Sequence, residues 1–190
     1  MTQEYYIKHV KSFVNDTLYA DMKLQYEFFL KHMPNEGSLL DVASSQGRDS
    51  LFFQSLGYDV TVVENDKKTI LKEKDLKIEN VVESTVENID FQNQFDAVWA
   101  SSNLIHVAAN KLNLAFKKCA RALKKNGILY VAFKYGHFDG KKNDKYYVDL
   151  KEDSINNYLK DTDLEVVEIT LTKNENDRQD KWFNAILMKV

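Results

Sequence analysis

Between residues 38 and 134 the apolar pattern changes period repeatedly, from short β-type runs to helical stripes and back. SLLDVA (38–43), DVTVVE (59–64), NVVES (80–84), FDAVWAS (95–101) and GILYVAFK (127–134) are short and rich in β-branched or aromatic residues, which predicts five strands. Between them lie helical patterns: RDSLFFQSL closed by Gly57, DKKTILKEK, and ANKLNLAFKKCARALKK closed by Asn126-Gly127. Gly and Asn-Gly serve as left-handed helix stops. Alternation of strand and helix leaves few solutions, and it predicts an α/β, doubly wound parallel sheet with helices on both faces.

The flanks add to this frame. Tyr6, Val10, Phe13, Val14, Leu18, Met22, Tyr26, Phe29, Leu30 and Met33 recur at three- and four-residue steps. They read as two helices broken near Asn15-Asp16 and ended by the only proline, Pro34. After residue 140 a polar stretch, GKKNDK, leads to a helix around EDSINNYLK, then to strands LEVVEITLTK and WFNAILMKV. The last two form a hairpin with NENDRQDK as its loop. The expectation is a mostly parallel seven-stranded sheet with an antiparallel C-terminal hairpin and N-terminal helices. At 190 residues, one domain accounts for the chain, with 1–36 as a helical cap and 37–190 as the core.

A net charge of -3 supplies no basic field for phosphate backbones, so nucleic acid is not expected and a small-molecule partner fits better. No apolar run is long enough for a membrane span, and the amino terminus lacks a secretion signal, which predicts a cytoplasmic protein. The single cysteine, Cys119, excludes an internal disulfide and a multi-thiolate metal site. It falls in the stripe Leu112, Ala115, Phe116, Cys119, Ala120, Leu123 on one helical face, so core packing is expected. No His, Cys and carboxylate cluster has metal-ligand spacing, and no metal is predicted. Composition says nothing of oligomeric state.

In an open α/β sheet a ligand binds outside the carboxyl ends of the strands, and the first strand-to-helix turn is the usual place. Here that turn runs Asp41-Val42-Ala43-Ser44-Ser45-Gln46-Gly47-Arg48-Asp49. Glu64 ends the second strand about 20 residues on, where an acid accepts hydrogen bonds from ribose hydroxyls. A nucleoside site follows from that placement.

The same string resembles the first motif of class I methyltransferases, Asp-x-Gly-x-Gly-x-Gly, followed in one branch by Arg-Asp. Only the last glycine, Gly47, is kept. Ala43 adds a methyl where the backbone passes close to the cofactor, and Ser45 restricts a position that glycine leaves free; a negative φ would accommodate either. FDAVWASSNLIHV (95–107), RALKKNGILYVAFKYGHFDG (121–140) and RQDKWFNAILMK (178–189) extend the resemblance, over about residues 37–190, to a branch with tellurite-resistance-like members. The resemblance implies a Rossmann-like methyltransferase fold and S-adenosylmethionine as cofactor. It implies that Asp41, Gly47 and Glu64 contact the methionine and ribose ends, and that Ala43 and Ser45 line the turn. Thr85 stands where the family often has an acid near the adenine amine, with Val86 beside it, and Ser101 lies beneath the sulfonium.

Arg48 reads equally as a bidentate partner of the cofactor carboxylate and as a partner of Asp49. His106 follows strand four, where it would take a proton, orient a substrate or cap the loop. Lys134 and Tyr135 end strand five and would line the acceptor site, or leave the lysine head in solvent. Tyr146, Tyr147, Arg178 and Trp182 would wall the substrate or simply cover the sheet edge. A sulfonium is an activated leaving group, so positioning supplies much of the rate, and a base is needed only for a protonated acceptor. His106 or Tyr135 is the candidate. The leading expectation is a methyltransferase acting on a small molecule. Its rivals are a degenerate, non-catalytic binding module, favoured by Ala43, Ser45 and Thr85, and a nicotinamide-dependent enzyme, which the missing Gly-x-Gly-x-x-Gly spacing disfavours.

Overall fold

The structure is a computed structural model that describes residues 22–44, 47–78, 80–101, 103–173 and 181–190. In chain order the elements are α1 (Lys23–Leu30), β1 (Ser38–Val42), α2 (Arg48–Ser55), β2 (Asp59–Glu64), α3 (Lys67–Asp75), β3 (Asn80–Glu83), β4 (Phe95–Ala100), α4 (Ala109–Ala122) and β5 (Leu123–Lys134). There follow β6 (Asp139–Lys142), β7 (Lys145–Val148), α5 (Ile155–Tyr158), β8 (Leu164–Lys173) and β9 (Lys181–Lys189). Seven strands form one sheet in the order β3-β2-β1-β4-β5-β9-β8. The first five are parallel, and β9 runs antiparallel to both β5 and β8. The expected doubly wound, mostly parallel seven-stranded sheet is therefore present, and its last strand lies inside the sheet rather than at its edge.

Central parallel strands are covered on both faces and so read as unbroken apolar runs. On one face Leu40, Val98, Leu129, Val131 and Phe133 meet Leu112, Ala115, Phe116 and Cys119 of α4. On the other, Leu39, Val62, Trp99 and Tyr130 meet Phe29 of α1 and Phe53 of α2. Trp99 stacks on Tyr130 at 4.0 Å, and Phe29 and Phe53 approach Trp99 edge-on. The predicted α4 stripe is buried in full, and burial pushes the Cys119 thiol up to about 12, as a core side chain requires.

Three local expectations are corrected. Asn126-Gly127 does not close α4: the helix ends at Ala122, and the buried Leu123 pairs with Phe95 to begin β5 directly. Asn126, at φ 63°, lies inside that long strand beside a register shift, so it marks a bulge. The polar stretch after residue 140 is not a connector but the β6–β7 hairpin, turned by Asn143 (φ 48°) and Asp144 (φ 63°). Two left-handed residues in succession make the tight turn whose twist matches the strands, and Asn and Asp tolerate it best after glycine. The helix expected around EDSINNYLK shrinks to Ile155–Tyr158. Gly57, at φ 95°, does terminate the α2 region as predicted. The first N-terminal helix, Ser45, Arg178 and the loop of the C-terminal hairpin lie outside the described residues.

Candidate functional site

Parallel pairing puts the carboxyl ends of β1, β2, β3, β4 and β5 on one edge of the sheet. The turn after β1 sits at its centre. Ala43 donates its N–H to the Val63 carbonyl at 2.7 Å, which continues the β1–β2 ladder for one residue. Its φ is then 57°, so the negative φ that would accommodate an alanine is not adopted. The side chain meets the backbone in this left-handed conformation at a cost of about 1–2 kcal/mol. Asn103, just past β4, donates from Nδ2 to the Ala43 carbonyl at 3.2 Å and ties the turn to the neighbouring strand. Gly47 follows at φ 77°, and a Cβ there would stand 3.0 Å from Ile78 Cδ1. That glycine is required by both backbone and space.

Four carboxylates surround the turn. Asp41 is buried at the end of β1 and accepts from Ser50 Oγ at 2.5 Å. Burial, then the charges of Asp49 and Glu73, hold its carboxyl well above the usual range, against the opposing Ser50 bond. Glu64 is also buried, and its Oε1 accepts the N–H groups of Asn65 at 2.8 Å and Asp66 at 3.0 Å. Glu73, inward on α3, accepts the Ser44 hydroxyl on Oε1, while its Oε2 is buried with no hydrogen-bond partner among the described residues. Burial pushes it up to about 7; the Ser44 bond opposes this and Glu64 adds to it.

Asp49 gathers the most contacts. Arg48 donates to it in bidentate fashion, from Nε to Oδ1 at 2.6 Å and from Nη2 to Oδ2 at 3.1 Å. Tyr26 of α1 donates its hydroxyl to Oδ1 at 2.5 Å, and Trp99 donates Nε1–H to Oδ2 at 2.9 Å. The pairing with Asp49, one of the two readings of Arg48, is formed. A planar fork on a carboxylate in a largely buried site is a strong contact, and it holds the start of α2 against β4 and α1.

Further along the edge, Thr85 precedes a single 3-10 turn over Val86–Asn88, and the Val86 side chain is buried in the core. Ser101 is half-buried at the end of β4. Beyond it, a second 3-10 turn, Leu104–His106, is anchored by buried Leu104, Ile105 and Val107 and presents His106 at the surface. His106 Nδ1 lies 2.9 Å from the Tyr146 carbonyl, and the Tyr147 ring packs edge-on at 4.8 Å. Lys134 Nζ stands 5.6 Å over the Trp182 ring, its antiparallel neighbour. Tyr135 donates its hydroxyl to Glu152 at 3.2 Å, and desolvation with this acid raises its pKa.

Thus Asp41, Ala43, Gly47 and Arg48 share one turn, with Glu64 and Ser101 at the ends of the two strands flanking β1. His106 is joined to the β6–β7 hairpin, while Lys134 and Tyr135 turn to Trp182 and Glu152. Asn103, Glu73, Tyr26 and Trp99 were not legible as site residues. Asn103 alone had a local signal, a polar side chain just past a strand end. Among the described residues no three His, Cys, Asp or Glu side chains converge as a metal site would need, and no helix is long and apolar enough to cross a membrane.

Residues 40–131 match the sequence model of a methyltransferase domain. Among solved structures, a 1,6-didemethyltoxoflavin-N1-methyltransferase from Burkholderia thailandensis is 16% identical, with a TM-score of 0.78 over 90% of this chain and 79% of that one. TehB from Haemophilus influenzae is 17% identical, with a TM-score of 0.70 over 90% of this chain and 63% of its own. The [4+2]-cyclase SpnF is 13% identical, with a TM-score of 0.70 over 87% and 80%. No curated protein matches the sequence. Residues 40–131 are thus similar in sequence to a methyltransferase domain, and the sheet has the fold of solved S-adenosylmethionine-dependent methyltransferases.

Proposed function

We propose that the protein transfers a methyl group from S-adenosylmethionine to a small-molecule acceptor. The observation that carries this reading is the acid-lined turn after β1 with Glu64 across it on β2. Asp41, Glu64 and Glu73 line the turn with carboxyl groups, which suits a ligand with free hydroxyls better than the pyrophosphate of a nicotinamide dinucleotide. Asp41, Ala43, Ser45, Gly47 and Arg48 hold the methionine end, Glu64 the ribose, Thr85 and Val86 the adenine, and Ser101 the region beneath the sulfur. When bound, S-adenosylmethionine supplies a methyl group on a cationic sulfur that leaves as a neutral thioether. His106 takes the proton of a protonated acceptor, and Lys134 and Tyr135 shape the acceptor side.

A second reading, a binding protein without turnover, rests on the strained Ala43 and on the Ser44–Glu73 contact. Titration calorimetry with S-adenosylmethionine, S-adenosylhomocysteine and NAD tests both. Binding of the first two and not the third is expected. Failure of all three to bind at millimolar concentration would remove the cofactor assignment.

A further inference from the structure

The β6–β7 hairpin was not foreseen from sequence, yet it supplies the hydrogen-bond partner of His106. Nδ1 of that ring faces the Tyr146 carbonyl oxygen at 2.9 Å. A carbonyl has no proton to give, so Nδ1 must be the donor, and in the neutral ring the lone pair then resides on Nε2. Free imidazole side chains favour the opposite arrangement. We infer that the β6–β7 hairpin is a positioning element that locks His106 as the Nδ1–H tautomer and turns a bare Nε2 lone pair toward the acceptor side of the sheet edge.

Both partners are rigid enough for this task. His106 ends the 3-10 turn that buried Leu104 and Ile105 fasten to the core, so its Cα cannot drift far. The hairpin is held by four cross-strand pairs, from Asp139 with Val148 to Lys142 with Lys145. The Val148 side chain is buried, and the Tyr146 hydroxyl donates to Asp139. Asp149 N–H adds a bond to the Phe138 carbonyl at 2.7 Å, which closes the base of the hairpin. Tyr147 then sits edge-on to the imidazole, with an interplanar angle of 73°. A half-turn of the ring would put a carbon against the Tyr146 oxygen and forfeit the hydrogen bond. The polar turn residues Asn143 and Asp144 thus act on the chemistry only through the backbone they register.

This inference rests on the reading of His106 as the proton acceptor, and it is tested by a measurement that needs neither cofactor nor acceptor. In 15N-labelled protein the chain has four histidines, and the His106 signals are identified by their loss in His106→Asn. Above the titration of the ring, two-bond 15N–1H spectra are expected to show a protonated Nδ1 and an unprotonated Nε2. The double change Asn143→Val with Asp144→Val places β-branched residues at left-handed positions and loosens the hairpin. There the signals are expected to move toward the Nε2–H form. The Nε2–H form in the unmodified protein, or a mixture of the two, overturns the inference, and that result does not depend on whether the double variant folds. A folded double variant with an unchanged Nδ1–H signal also overturns it. If the Nδ1–H form is found but His106→Asn leaves kcat unchanged from pH 6 to 9, the base role fails and the positioning stands.

Discussion

Glu73 gives the sharpest test of the geometry around the first turn. Its carboxyl is buried on α3, bonded to Ser44 through one oxygen and to no described residue through the other, and it is pushed from the ordinary 4.5 to about 7. Because the folded-state value lies above the unfolded one, the folded protein binds more protons between those limits. Stability is therefore expected to fall as pH rises from about 4.5 through 7, and to level off above about 8. The full gap corresponds to about 3 kcal/mol at about 1.4 kcal/mol per tenfold, and solvent near the turn lowers this to about 1–3 kcal/mol. Glu73→Gln keeps an acceptor for Ser44 and removes the charge. At pH 9 the variant should exceed the unmodified protein by that amount, while at pH 5, where only the first part of the loss has occurred, the excess should be below about 1 kcal/mol. Urea unfolding at five values from pH 5 to 9, with a common m-value, reads the difference directly. Asp41 is raised as well, in part by the Glu73 charge, so Glu73→Gln eases its ionisation and adds to the variant's excess at high pH. Parallel stability curves for the two proteins across this range would refute the argument.

Ala43→Gly relieves a left-handed alanine, at φ 57°, and should stabilise the fold by about 0.5–1 kcal/mol by thermal or urea unfolding; a loss of stability would contradict that backbone assignment. Asp49→Asn strips the charge that faces Arg48, Tyr26 and Trp99, and should cost about 3–5 kcal/mol in the same assay, because Arg48 is left largely buried without its carboxylate. A cost below about 1 kcal/mol would show the network to be peripheral. Glu64→Ala should weaken S-adenosylhomocysteine by about 1.5 kcal/mol or more in calorimetry, if the folded variant loses a charged hydrogen bond to the ribose. Unchanged affinity removes Glu64 from the site.

The sheet was legible because its strands are buried on both faces, and runs such as SLLDVA and GILYVAFK have no other easy home. The α4 stripe through Cys119 was legible for a similar reason, since one apolar face must meet the sheet. The hairpin after residue 138 was not. Lys, Asn and Asp dominate its turn, and the left-handed pair Asn143-Asp144 has the composition of a plain loop. Asn126-Gly127 misled in the opposite direction: it has the chemistry of a helix stop, but burial of Leu123 against Phe95 ended the helix first. Around the candidate site, Asp41, Gly47 and Glu64 could be placed by strand-end arithmetic alone. Glu73 could not, because nothing in KKTILKEKD distinguishes the acid that turns inward from those that face water. Nor could the Tyr26 and Trp99 contacts to Asp49, which join residues 23 and 50 positions apart.

The place of β9 in the sheet has a consequence for how the molecule comes together. It threads between β5 and β8, although it follows both in the chain. A nascent chain that has not yet exposed Lys181–Lys189 presents β5 with an open side and β8 with no neighbour to hold it. Both are rows of unsatisfied backbone groups, the kind of edge that recruits other chains. Synthesis or proteolysis that stops short of Lys181 should therefore yield material that aggregates rather than a smaller soluble core. Quality control of this protein would then turn on nine residues that contribute no side chain to the turn after β1.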